Sequence, residues 1–394
     1  MKKKIKKIPL SEPAFFGEEI KYIKNCVKSG WITTSGKYLN LFESKVKKIT
    51  KSKYAVSLAN GTSALQLSLS CLKPMYKDEV IVPSITFVAT INAVKYNNCS
   101  PIFMDSDENF LIDLNKTLEF LKKNTYKKNG FTYNKKTKKR IIAIIIVHTF
   151  GNCVNLTKKI VSTFKNYNIK IIEDAAESFG SFFKEKKLIS HSGTKGDIGC
   201  FSFNGNKIIT SGGGGMIVTK NRNYYKKIFY LSTQAKNDPI NFIHNEVGYN
   251  LRMTNLHAAI GLSQIKHLKK IINKRKKIHK AYLKNINPIP GLKLLRQTKN
   301  SYSNFWLNVL KVDESKFGSS KTKLIKHLLS KGIEVRSVWF PNHLQKPFIK
   351  NESYKIKNSH KLFKKSLCLP SSYTLSNKQL MFIIKLLKNY AKKS

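Results

Sequence analysis

Arginine is scarce in this chain: six of its 73 basic residues carry a guanidinium, and with 22 acidic residues the formal charge is +51. A surplus of that size ordinarily suggests nucleic acid. Yet the side chain best suited to bidentate phosphate and base recognition is the one nearly missing, and the lysines are spread among Asn and Ile without clustering. The charge therefore reads as drift toward A/T-rich codons, which argues against a nucleic-acid reader and leaves a modest pull on anionic small molecules. Cys26, Cys71, Cys99, Cys153, Cys200 and Cys368 show no metal-ligand spacing, so they read as reduced core residues of a cytoplasmic protein, with no metal site. Long apolar runs are missing as well. The longest, 141–147, is too short to span a bilayer, and the lysine-rich start from Met1 to Leu10 reaches Pro13 without the apolar stretch of a secretory signal. The expectation is a soluble protein with no membrane partner.

At 394 residues the chain can hold a large domain and a smaller one. Helices are expected over 18–29 and 37–51, the second with Phe42, Val46 and Ile49 on one face. Strands and helices then alternate: strand 54–59, helix 62–72, strand 79–82, helix 86–97, strand 101–104, helix 114–123, strand 141–147, helix 156–167 and strand 169–172. This is an α/β rhythm with a mostly parallel sheet. The stretch 122–140, rich in Lys and Asn, reads as an exposed inserted loop. A long helix from Asn255 to about Leu283 leads into a small α+β region, so the expected division is 1–254 and 255–394.

Three stretches carry chemistry. Lys207 sits on the connection between the short buried strand 198–203 and the apolar run 216–219, just before the glycines Gly212 to Gly215. Four consecutive glycines permit positive φ and close approach at an entropic cost that a plain turn would not need. A lysine packed into a pocket can lose its proton and form a Schiff base with an aldehyde. The strand 169–172 runs into the acidic pair Glu173-Asp174, followed by Ala175-Ala176-Glu177-Ser178-Phe179-Gly180. The strand 54–59 runs into Asn60-Gly61-Thr62-Ser63, a small-residue turn opening a helix, whose unpaired N–H groups suit a phosphate. His148 and Asp174 both fall at carboxyl ends of strands, where open α/β sheets place ligands.

Taken with Gly30 to Gly36, Val82 to Thr90, His148 to Gly151 and Glu246 to Arg252, these stretches resemble the fold-type-I pyridoxal-phosphate (PLP) enzymes of the nucleotide-sugar aminotransferase family, over nearly the whole chain. The resemblance implies a large domain with a mostly parallel mixed sheet flanked by helices, plus a small C-terminal α+β domain. It also implies PLP as cofactor, bonded covalently to Lys207, with Asp174 keeping the pyridine nitrogen protonated. Gly61, Thr62 and Ser63 match the phosphate-binding helix start, Ser202 adds a hydroxyl, and Asn250 matches a residue reaching the phosphate from a partner subunit in a homodimer with shared sites. Phe87 matches the aromatic on the ring face. Glu177 stands near the phenolic oxygen where much of the family has Gln or His. His148 is a candidate ring or substrate contact, and Thr33, Thr34 and Ser35 match a loop facing the sugar. The implied substrates are an amino-acid donor, with glutamate expected, and a nucleotide-linked keto sugar. The wording around Glu177, Lys207 and Asn250 looks most like the branch that aminates C4 of 4-keto-6-deoxy-N-acetylhexosamines on UDP or GDP, on routes to legionaminic-acid-type surface sugars. The alternatives are a dTDP-linked 3-keto-6-deoxyhexose, a PLP sugar dehydratase, disfavoured because those relatives replace the lysine with histidine, and a non-catalytic polyanion-binding relative.

Overall fold

A computed structural model of the chain describes residues 7–391, so the lysine-rich start up to residue 6 lies outside the described residues. The central sheet is built from β1 (Tyr54–Leu58), β2 (Glu79–Pro83), β3 (Ser100–Met104), β4 (Ile141–Val147), β5 (Lys170–Asp174), β6 (Ile198–Ser202) and β7 (Gly215–Thr219). Their order is β1-β7-β6-β5-β4-β2-β3, with the short strand Ser353–Tyr354 added beyond β3. β4 reads Ile-Ile-Ala-Ile-Ile-Ile-Val and is buried throughout, as expected of a strand covered by helices on both faces. Neighbours from β6 to β3 pair in parallel, while β7 is antiparallel to both β6 and β1. Thus β7 alone runs backwards, and the carboxyl ends of the other six strands share one edge of the sheet.

The helices follow the apolar periodicity. They are α1 (Glu18–Ser29), α2 (Lys37–Thr50), α3 (Gly61–Ser70), α4 (Ala89–Tyr96), α5 (Leu114–Asn124), α6 (Lys158–Asn166), α7 (Arg222–Ser232) and α8 (Asn255–Ile286). Phe42 and Val46 of α2 are fully buried, and α1 and α2 pack along α8. Among the described residues, no helix is long and apolar enough to cross a membrane, and all six cysteines are buried free thiols.

From the second half of α8 onward a separate core forms. Ile278 and Tyr282 join Leu310, Leu328, Leu380 and Ile383 around a four-stranded antiparallel sheet. Ile8 reaches into this core and bridges Ile333, so the start of the chain is tied to its last third.

Two expectations need correction. The stretch 122–140 is a β-hairpin, Thr125–Lys128 against Phe131–Asn134. Its inward positions are polar: Thr132 and Asn134 are fully buried, with Thr132 donating to Tyr167 O and Asn134 Nδ2 to Glu79 Oε2 and Glu352 Oε2. The helix expected from residue 86 starts at Ala89, because Thr86 and Ser84 lend their carbonyls to Asn342.

Candidate active site

The shared carboxyl edge gathers the chemistry. β1 ends at Leu58, and Asn60 caps α3 by accepting from Ser63 N at 2.8 Å and from Ser63 Oγ at 3.1 Å. The first turn's other N–H groups are those a helix start leaves unpaired. Gly61 packs against Ser202 at the end of β6 so tightly that a Cβ there would lie 2.8 Å from the Ser202 Cβ. Gly61, Thr62, Ser63 and Ser202 are therefore brought together in a narrow cradle. The glycine run serves this approach: a Cβ on Gly215 would stand 2.3 Å from Asn60 O, and Gly212 takes φ 82°.

Glu173 and Asp174 close β5, and strand alternation sends them to opposite faces. Glu173 is buried and accepts from His148 Nε2 (2.8 Å), Gly193 N (2.9 Å), Lys195 N (2.6 Å) and Gly196 N (2.5 Å). Burial opposes its ionisation, but these donors outweigh it and hold the carboxyl below its ordinary range. Asp174 is different: it accepts only from Thr90 Oγ1 at 2.8 Å and Ala176 N at 3.1 Å. Burial pushes its carboxyl up, with those two bonds and the nearby Lys207 charge pulling back. No ion-pair partner of Asp174 is found among the described residues. A buried carboxylate with no cation in contact suits a cationic ligand atom.

Lys207 Nζ stands 3.8 Å from Glu177 Oε1 and 4.2 Å from the centre of the Trp306 indole, with its side chain 13% exposed. Glu177 Oε2 accepts from Phe150 N at 2.7 Å. Burial pushes the Glu177 carboxyl up to about 7, with the Lys207 ammonium and the Phe150 N–H opposing. Lys207, Glu177 and Phe87 line one cavity of about 280 Å³. Phe87 is 53% exposed, which leaves its ring face open to the cavity it lines.

The opposite wall comes from distant sequence that the motifs did not reveal. Trp306, Trp339 and Arg336 line the same cavity. Trp306 donates from Nε1 to Asn206 O at 2.7 Å, beside Lys207 in the chain, and its own carbonyl accepts from Arg275 Nη1. Rarity was the available signal, since Trp occurs three times in the chain and Arg six times.

Other expected residues fall elsewhere. His148 is buried with both ring nitrogens engaged: Nδ1 accepts from Val154 N at 3.1 Å, which leaves the proton on Nε2 to donate to Glu173. Both ring nitrogens are thus bonded within the protein, where they brace the edge of the sheet. Thr33, Thr34 and Ser35 are exposed between α1 and α2 and line no part of the Lys207 cavity of their own chain. Thr33 O accepts from Asn255 N at 2.6 Å. Asn250 is exposed beside the β1 edge, next to Leu251, whose carbonyl accepts from Ala59 N.

PLP needs an amine, an anion for its ring nitrogen, a phosphate cradle and a ring-packing face. Lys207, Asp174, the Gly61–Ser63 turn with Ser202, and Phe87 provide these in one region, so the residues present fit the group. Comparison with known proteins agrees. Over 380 residues, covering 96% of this chain and 97% of the relative, the sequence is 35% identical to GDP-perosamine synthase of Escherichia coli O157:H7. It is 32% identical over 386 residues to GDP-perosamine synthase of Vibrio cholerae, covering 97% and 99% of the two chains. The fold superposes on Helicobacter pylori PseC, an aminotransferase involved in the biosynthesis of pseudoaminic acid, with a TM-score of 0.86 at 22% identity over 99% and 100% of the chains. Residues 14–388 match a single family of PLP-dependent enzymes, and the chain belongs to it: the DegT/DnrJ/EryC1/StrS aminotransferases.

Proposed function

We propose that this enzyme transfers an amine from glutamate to C4 of a nucleotide-linked 4-keto-6-deoxy sugar, on a route to surface polysaccharide in the cytoplasm. The observation that supports the reading is Lys207 in a cavity beside Glu177, together with the buried Asp174, whose carboxyl feels the Lys207 charge but has no ion-pair contact among the described residues. Bound PLP supplies an aldehyde that exchanges amines and a ring that accepts the electron pair released when a proton leaves the substrate carbon.

The chain does the rest. Asp174 holds the proton on the ring nitrogen. The N–H groups at the start of α3 and the Ser202 hydroxyl bind the phosphate, and Phe87 covers one ring face. In each half-reaction Lys207 Nζ would move a proton between the substrate carbon and the cofactor's amine-bearing carbon, and so would protonate the sugar carbon from its own side of the cavity. Glu177, with one oxygen pinned by Phe150 N, keeps the other for the Lys207 ammonium or for the phenolic oxygen when its own carboxyl is protonated.

A GDP-linked acceptor is favoured over a UDP-linked one because the two GDP-perosamine synthases are named for a GDP-linked sugar. The working unit is a homodimer with shared sites, to which Asn250 contributes from the second copy. Exposed apolar side chains near Asn250, including Ile240 at 83% and Val247 at 88%, support a covering partner. The expected division at 254/255 falls at the start of α8, a helix whose first half packs with Phe42 and Phe203 and whose second half enters the C-terminal core. The test is the amine-loaded enzyme given GDP- and UDP-linked 4-keto sugars and a dTDP-linked 3-keto sugar. Return of the aldehyde-form absorbance with the GDP-linked 4-keto sugar is expected, and return with the 3-keto sugar alone would overturn the C4 assignment.

A further inference from the structure

Asp174 is oriented by a chain of hydroxyls that begins outside the site. Thr90 Oγ1 donates to Asp174 Oδ2 at 2.8 Å, and Thr86 Oγ1 lies 3.0 Å from Thr90 Oγ1. Both threonines are buried. A hydroxyl has one proton, and that of Thr90 is given to the carboxylate, so Thr86 must donate to Thr90. With Asp174 ionised, the relay runs from Thr86 to Thr90 to Asp174. Its outer end is pinned by Asn342, which donates from Nδ2 to Thr86 O at 2.8 Å and from N to Ser84 O at 2.8 Å. Ser84 Oγ in turn bonds His343 Nδ1 at 2.7 Å. A buried hydroxyl pair of this kind must satisfy itself internally, and here it does so by giving its last donor to Asp174, a site carboxylate with no ion-pair contact among the described residues.

We propose that Thr90, polarised by Thr86, is a positioning residue that keeps the Asp174 carboxylate ionised and aimed, so that the shared proton resides on the cofactor's ring nitrogen and not on Asp174. The inference rests on Asp174 facing that nitrogen. Each hydrogen bond donated to Asp174 makes it a weaker base, and within a hydrogen-bonded acid–base pair the proton stays with the stronger base. Without the Thr90 hydroxyl, Asp174 gains basicity and rotational freedom, and the ring nitrogen loses part of its positive charge. Because the ring serves as electron sink in both halves of the exchange, both half-reactions slow together, while sugar and donor KM values hold.

The test uses full-length enzyme loaded with PLP carrying ¹⁵N in the ring. In Thr90→Val the ring-nitrogen signal moves toward the unprotonated position and kcat falls about tenfold or more in each half-reaction. Thr90→Ser retains the hydroxyl and restores both. Thr86→Val, which removes only the outer donor, gives a smaller displacement in the same direction and is informative even if Thr90→Val folds poorly. Asp174→Ala is the control for the site itself. A wild-type ring signal in both valine variants, alongside a displaced signal in Asp174→Ala, would overturn the relay and leave the site intact. An unchanged signal in Asp174→Ala would instead remove the assignment of Asp174 on which the relay rests.

Discussion

Glu177 has one oxygen fixed by Phe150 N and the other facing Lys207. Its carboxyl, pushed up to about 7 by burial, changes charge within the working pH range, so Glu177→Gln should erase a pH-rate limb near 7 while PLP stays bound. A profile identical to wild type would show that the limb belongs to another group. Asp174→Asn should also keep PLP bound yet lower turnover by about 10²-fold or more, since an amide cannot hold the ring nitrogen protonated. At the phosphate cradle, Gly61→Ala drives a Cβ into Ser202, and a cofactor titration should show PLP affinity reduced about tenfold or more. Lys207, Asp174 and the Gly61 turn were legible in the sequence because each follows a strand end within a short run of small residues. Trp306 and Arg336 were not, because only the folded chain brings residues beyond 300 across from Lys207.

At the scale of elements, legibility followed how apolar each buried face is. β4 could be read to the residue because both its faces are aliphatic. The hairpin Thr125–Asn134 hid its alternation because its inward side chains are Thr132 and Asn134, which hydrogen-bond where others would pack. Asn134 bridges Glu79 and Glu352, and burial, with Glu352 adding repulsion, pushes Glu79 up to about 7. An acid whose folded pKa is raised stabilises the fold fully below its unfolded value near 4.5 and loses that contribution as pH rises through about 7. Glu79 and Glu177 both act in this sense. The melting temperature of the cofactor-free protein should therefore carry a falling component between those limits, and Glu79→Gln should flatten it. A slope unchanged in Glu79→Gln would mean that the carboxyl is already ionised at the lower limit.

At the scale of the molecule, six strands ending on one edge of the sheet supply the site, and β7 reverses so that β1 can bring the start of α3 against Ser202. Asn250 lines no part of the Lys207 cavity of its own chain, and the proposed homodimer has it reach the partner's site. Heterodimers of Lys207→Ala and Asn250→Asp chains should regain part of the activity that each homodimer lacks, because one of the two sites is then intact. Verified heterodimers without recovery would refute the shared arrangement.

The proposed chemistry needs one particular lysine among 67. Borohydride reduction of the PLP-loaded enzyme, followed by peptide mass spectrometry, should place the cofactor adduct on Lys207 and on no other lysine, and the Lys207→Ala chain should yield no adduct. A reduced adduct on a different residue, or full labelling that survives Lys207→Ala, would contradict the assignment of the site.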